Sequence, residues 1–154
     1  KDPAKIGVIG LGVGTLAAYG RAGDSMRFYE IDPVVVKLAG PGGYFSFVED
    51  SPAEVDIVLG DARLSIEDEQ RRGEPLAYDV LVLDAFSSDA IPTHLVTREA
   101  LALYLSRIDG RGAIEFHVTN RHVALDGVVA ALARDFRALS AACGANRDLV
   151  LMGA

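Results

Sequence analysis

Glycines stand at positions 10, 12 and 14, in the run Gly10-Leu11-Gly12-Val13-Gly14, directly after the apolar segment Ile6 to Ile9. Glycine lets a backbone turn tightly and lets a ligand approach where a Cβ would collide, and the segment that follows offers unpaired N–H groups. The spacing is GxGxG, with Thr15 where a dinucleotide fingerprint would carry its last Gly or Ala. This suits an S-adenosyl group better than NAD. A tight turn without a ligand is the plainer reading.

Glu30 lies 20 residues after Gly10, at the end of the run that begins at Met26. A carboxylate there can accept the protons of both ribose hydroxyls, or it is an acid ahead of a helix cap. Asp61, beside the small Ala62, can accept from an adenine amino group or cap the next helix, and the two roles are compatible. Asp84 closes the most apolar run, Tyr78 to Leu83. Partial desolvation would make its carboxylate a strong partner for a substrate ammonium and a base for its proton; a cap is the alternative. Asp89 in the following loop is a candidate second amine anchor or a solvated loop acid. His94 and His117 are candidates to line the substrate pocket, against packing on Pro92 for the first and a bond to a neighbouring loop for the second. Arg98, Arg121 and His122 read as ordinary surface, and Phe45, Phe47 and Phe86 as core or lid packing.

The elements that must position these residues follow from hydrophobic periodicity and turn chemistry. Strands are expected at Ile6–Ile9, Met26–Ile31, Val55–Leu59, Tyr78–Leu83 and Gly112–Val118. Helices are expected from Thr15, from Asp32-Pro33 to about Ala39, over Ala62–Arg72, Arg98–Ile108 and Val123–Leu139. Two short final strands, about Leu139–Cys143 and Asp148–Met152, are joined by a Gly144–Arg147 hairpin turn. The alternation implies an α/β, doubly wound, mostly parallel sheet ending in an antiparallel hairpin, in one domain over 1–154. Ligands of such sheets bind at the carboxyl ends of the strands, and every parallel strand here delivers a glycine or an ionisable residue to that edge.

Composition narrows the partners. The formal net charge of -7 over 154 residues, with no Lys/Arg-rich run, argues against nucleic acid and suits a cationic ligand. Cys143 is the single cysteine, so no internal disulfide forms and a reducing, cytoplasmic setting is expected. The three histidines lack metal-ligand spacing, so no metal is expected. No apolar run reaches the roughly 18 residues of a membrane span, and the opening Lys1-Asp2-Pro3-Ala4-Lys5 has no signal-peptide pattern.

In order along the chain, Gly10-Leu11-Gly12-Val13-Gly14, Phe28-Tyr29-Glu30-Ile31-Asp32-Pro33, Gly60-Asp61-Ala62-Arg63 and Tyr78-Asp79-Val80-Leu81-Val82-Leu83-Asp84 resemble the spermidine synthase (polyamine aminopropyltransferase) family. The segment from Asp84 to Leu95 resembles a branch in which this domain is often fused behind membrane helices. The resemblance implies a class I methyltransferase-like Rossmann fold and transfer of an aminopropyl group from decarboxylated S-adenosylmethionine to an amine such as putrescine. It implies that Gly10, Gly12 and Gly14 hold the co-substrate, Glu30 its ribose, and Asp61 with Ala62 its adenine. Asp84 would deprotonate the amine and Asp89 contact it. Val13 stands where the family carries an Asp for the propyl amine, and the family's Asp-x-x-Asp-Pro loop is stretched here. The family's N-terminal β-strand region is expected to be missing. The alternatives are methyl transfer from intact S-adenosylmethionine, or a non-catalytic adenosyl- or polyamine-sensing domain of a larger membrane protein; a homodimer stays open.

Overall fold

Asp32 and Pro33 begin a helix as their types demand: the Asp32 side chain accepts from the Val34 N–H at 2.8 Å, and proline stands in the first turn. That helix belongs to the first of two compact units, Lys1–Pro75 and Leu76–Ala154, in a computed structural model that describes residues 2–74, 77–85, 92–117, 126–142 and 148–152. The first unit runs β1 (Lys5–Ile9), a 3-10 turn (Thr15–Tyr19), β2 (Ser25–Glu30), α1 (Pro33–Ala39), β3 (Glu54–Leu59) and α2 (Ala62–Arg71). β2 lies between β1 and β3 and is parallel to both, with Ile9 opposite Tyr29 and Glu30 opposite Leu59. Parallel strands need crossovers, which α1 and the 3-10 turn supply. Val8, Ile9, Phe28, Tyr29 and Ile66 are fully buried and form the centre of this unit's core.

Arg27 and Tyr29 are two apart on β2 and so share a face. Both reach Glu69 of α2, which is only 2% exposed: the Tyr29 hydroxyl donates to Oε2 at 2.7 Å and Arg27 Nη1 donates to Oε1 at 3.1 Å. Arg27 Nε also donates at 2.9 Å to Asp56, its register partner on β3. Two strands and a helix are thereby tied through one guanidinium, and the buried Glu69 carboxylate is both paired and hydrogen-bonded, as burial requires.

At the start of β2, Asp24 accepts from the Ala4 N–H at 2.8 Å, the Arg21 N–H at 3.0 Å and the Arg21 guanidinium at 2.9 and 3.1 Å. The guanidinium first, and the backbone N–H groups after it, lower its pKa from 3.8 to about 2.

The second unit runs β4 (Tyr78–Leu83), a 3-10 turn (Thr93–Leu95), α3 (Arg98–Ser106), β5 (Ile108–His117), α4 (Asp126–Ala142) and β6 (Asp148–Met152). Thr97 caps α3, its hydroxyl accepting from the Ala100 N–H at 3.2 Å. Leu101, Tyr104 and Leu105 of α3 join Leu81, Ile114 and Phe116 of the strands in the core, with Leu132 and Phe136 of α4.

Three sequence expectations are corrected here. The antiparallel C-terminal hairpin does not form, because β6 is parallel to β5, with Ala113 opposite Asp148 and His117 opposite Met152. Leu139 to Ala142, expected as a strand, completes α4. The Ala-rich stretch of α4 prefers helix, and only a crossover of that length can return the chain to a parallel strand. The third concerns β5, which starts at Ile108 rather than Gly112, while α3 stops at Ser106. Between the pairs Tyr78–Ile108 and Val80–Ala113 the ladder is irregular, β5 using more residues than β4. Glycine is required there: a Cβ on Gly112 would meet Ile108 Cγ2 at 2.6 Å and the Tyr78 and Asp79 carbonyl oxygens at 2.8 Å.

Removing Glu69 takes a buried acceptor from both the Tyr29 hydroxyl and the Arg27 guanidinium, so Glu69→Ala is expected to cost about 3 kcal/mol in urea unfolding. Glu67→Ala on the same helix loses a part-exposed pair with Arg63 and should cost no more than about 0.5 kcal/mol. For Asp24 the sign follows from its lowered pKa: its contribution is complete above about pH 4 and is lost as the pH falls to about 2. The melting-temperature gap between the wild-type chain and Asp24→Asn should be widest near neutrality and close across that window; a constant gap would refute the assignment.

Candidate functional site

Because the strands of the first unit are parallel, Gly10 to Gly14, Glu30 and Gly60-Asp61 emerge at one edge. Gly10, Gly12 and Gly14 have φ of 100°, 54° and 85°, values that L side chains rarely adopt. They differ in surroundings. A Cβ on Gly14 would stand 3.0 Å from Val48 Cγ2, so this glycine is packed beneath the segment that follows α1; around Gly12 nothing lies within 4 Å. Gly12 therefore presents open backbone in the turn. Val13 beside it is exposed.

Glu30 is 8% exposed, and both its oxygens are engaged: Oε2 accepts from the Leu11 N–H and Oε1 from the Asp32 N–H, each at 2.9 Å. The carboxylate thus ties the end of β2 to the centre of the glycine turn. A carboxylate has about four acceptor positions, so these two bonds leave acceptor capacity on Glu30. Asp61 caps α2, with Oδ1 accepting from the Leu64 N–H at 3.0 Å, and Ala62 is buried at the start of that helix. The sequence reading passed over the apolar members of this edge: Ile31 is 66% exposed, and Leu59 and Leu64 are exposed as well. Their signal was available, since each lies within two positions of a residue already singled out.

In the second unit Leu83 pairs with Phe116, so the next residues, Asp84 and His117, come side by side at the ends of β4 and β5. His117 Nδ1 and Asp84 Oδ1 are 2.6 Å apart, with the two side chains 40% and 38% exposed. An ionised carboxylate only accepts, so with Asp84 as carboxylate the imidazole Nδ1–H is the donor. His94 sits exposed in the 3-10 turn whose Leu95 is buried. Asp89 lies outside the described residues, as do Phe86, Arg121, His122 and Cys143. Among the described residues no group of three or more His, Cys, Asp or Glu side chains could hold a metal ion, and no helix is long and apolar enough to cross a membrane.

No family model matches the chain. A polyamine aminopropyltransferase of Vibrio vulnificus (strain CMCP6) is 39% identical over 104 residues, 64% of this chain and 32% of that protein. The crystal structure of spermidine synthase from Thermotoga maritima matches with a TM-score of 0.62 at 19% identity, covering 90% of this chain and 45% of that one. The chain is thus similar in sequence to a polyamine aminopropyltransferase and in fold to spermidine synthase. Its fold is α/β and Rossmann-like, as expected from the alternation of strands and helices. An N-terminal histidine N-methyltransferase of Emericella nidulans is also similar, 36% identical over 96 residues, 62% of this chain and 16% of that protein. The chain thus spans about a third of the aminopropyltransferase and less than half of the synthase.

The two glycines should separate on substitution. Gly12→Ala meets only the left-handed backbone cost, about 1–2 kcal/mol. Gly14→Ala adds a close contact with Val48, for roughly 2–4 kcal/mol altogether. Chemical unfolding of both variants checks the difference, and equal losses would contradict the packing described for Gly14.

Proposed function

We propose that this chain is an adenosyl-binding transferase domain that moves the aminopropyl group of decarboxylated S-adenosylmethionine to a small amine such as putrescine. The observation that carries the reading is the Asp84 carboxylate, half-exposed at the end of β4 and held by His117, in a chain similar to a polyamine aminopropyltransferase. Open backbone at Gly12, the remaining acceptor positions of Glu30 and the helix-capping Asp61 followed by the buried Ala62 support adenosyl binding, with Glu30 for the ribose and Asp61 and Ala62 for the adenine.

An amine attacks carbon only as the free base. Asp84 takes one proton from the substrate ammonium, leaving a neutral nitrogen with its lone pair. That pair forms the new C–N bond at the carbon next to the sulfonium while the C–S bond breaks. The bonding electrons go to sulfur, releasing neutral methylthioadenosine and an alkylated ammonium product. Asp84 then returns its proton to water. Nothing is oxidised or reduced, so the demands on the protein are alignment and removal of one proton.

One observation favours a second reading, methyl transfer from intact S-adenosylmethionine. Val13 presents an exposed apolar side chain in the glycine turn and offers no carboxylate to a propyl ammonium, and one relative is a methyltransferase by name.

Calorimetry with decarboxylated S-adenosylmethionine, S-adenosylmethionine, methylthioadenosine and NAD distinguishes these readings. The decarboxylated form and methylthioadenosine are expected to bind at least about tenfold more tightly than NAD, with Gly12→Ala weakening them. Tighter binding of intact S-adenosylmethionine favours methyl transfer, and failure of every adenosyl ligand refutes both. In turnover with putrescine, Asp84→Asn should lower kcat by roughly 10²–10⁴-fold with little change in KM for the adenosyl co-substrate. Unchanged turnover would remove Asp84 from the mechanism.

A further inference from the structure

We infer that His117 is a positioning residue that holds the Asp84 carboxylate in the orientation from which it meets the amine. This rests on the transferase reading and deepens it, since sequence alone offered His117 as a candidate to line the substrate pocket or to bond a neighbouring loop.

The two partners are unequally constrained. His117 is the last residue of β5, which is paired on both sides, with β4 and with β6, where His117 stands opposite Met152. Asp84 is the first residue past the end of β4, where the strand has stopped. At 38% exposure its carboxylate is not locked by packing, and left alone it would rotate. The 2.6 Å contact to Nδ1 ties a carboxylate beyond the end of its strand to a side chain whose backbone is held within the sheet.

The nitrogen used also matters. Nδ1 is the ring nitrogen nearer the backbone, so the contact is made over a short lever with little freedom to swing. It occupies Oδ1, and Oδ2 is the oxygen offered to the ammonium. A pair this exposed contributes little to stability, so its consequence lies in where the carboxylate points. Misplacing a reacting group by about 1 Å can cost on the order of 100-fold in rate.

The test compares His117→Ala, which removes the donor, with His117→Asn, whose side-chain amide N–H falls close to the position of Nδ1. Both are assayed in the whole chain with decarboxylated S-adenosylmethionine and putrescine. His117→Ala should lower kcat about tenfold or more. KM for the adenosyl co-substrate and the melting temperature should stay near wild type, and His117→Asn should recover most of the rate. An unchanged His117→Ala, or a His117→Asn as slow as His117→Ala, overturns the positioning role; the second result would give the chemistry to the imidazole itself. A wild-type chain that transfers nothing overturns the transferase reading and this role with it. Imidazole ¹⁵N NMR separates the two failures. The His117 signals should shift in Asp84→Ala whatever the activity, and an unmoved spectrum overturns the contact.

Discussion

Both oxygens of the Glu30 carboxylate are committed to the backbone, one to the Leu11 N–H in the middle of the glycine turn and one to the Asp32 N–H at the entrance to α1. Three residues of that turn have positive φ, and glycine brings them there with a large loss of conformational entropy. A turn of this kind holds one shape only if something outside it fixes an internal N–H. Glu30 does so from the end of β2, in a position shielded enough that its hydrogen bonds face little competition from water. β2 in turn is held along its length, by Asp24 at its beginning and by Arg27 and Tyr29 reaching Glu69 on α2. The edge of the first unit that carries the glycine turn is therefore the end of a chain of dependence that starts inside the unit.

The same residue makes the distinction between structural and functional roles less sharp than the sequence implied. Glu30 was read as a ribose acceptor or an acid before a cap, and Asp61 as an adenine partner or a cap. In the structure Glu30 secures the turn and Asp61 caps α2. Neither carboxylate is thereby exhausted as an acceptor. A carboxylate already held by backbone N–H groups has lost its rotational freedom before any ligand arrives, and that is what a binding group needs.

What could be read in the sequence was what local chemistry decides. Asp32-Pro33 starts α1, Asp61 starts α2, Tyr78 to Leu83 is β4, and the parallel alternation places Gly10, Glu30 and Asp61 at one edge. What could not be read depends on partners distant in the chain. The direction of β6 is set by pairing with β5 across α4, and a Gly-Ala-Asn turn motif suggested a hairpin that this pairing overrides. The start of β5 depends on an irregular ladder that only Gly112 permits. Burial of Glu69 followed from Tyr29 and Arg27, 40 and 42 residues away, while its own neighbourhood reads as a charged surface helix. The pairing of Asp84 with His117 required the register of two strands, which residue types do not disclose.

The parallel return from β5 through α4 to β6 bears on how the second unit comes into being. A hairpin could zip as soon as its turn formed. Here about thirty residues must be made and folded between His117 and Asp148 before the two strands can meet, and contacts this distant in sequence form slowly. Until then β5 presents a row of unsatisfied N–H and C=O groups on the side that β6 will cover, the kind of edge to which another nascent chain can add itself. Five residues, Asp148 to Met152, thus cover the side of β5 that is left open until the chain returns.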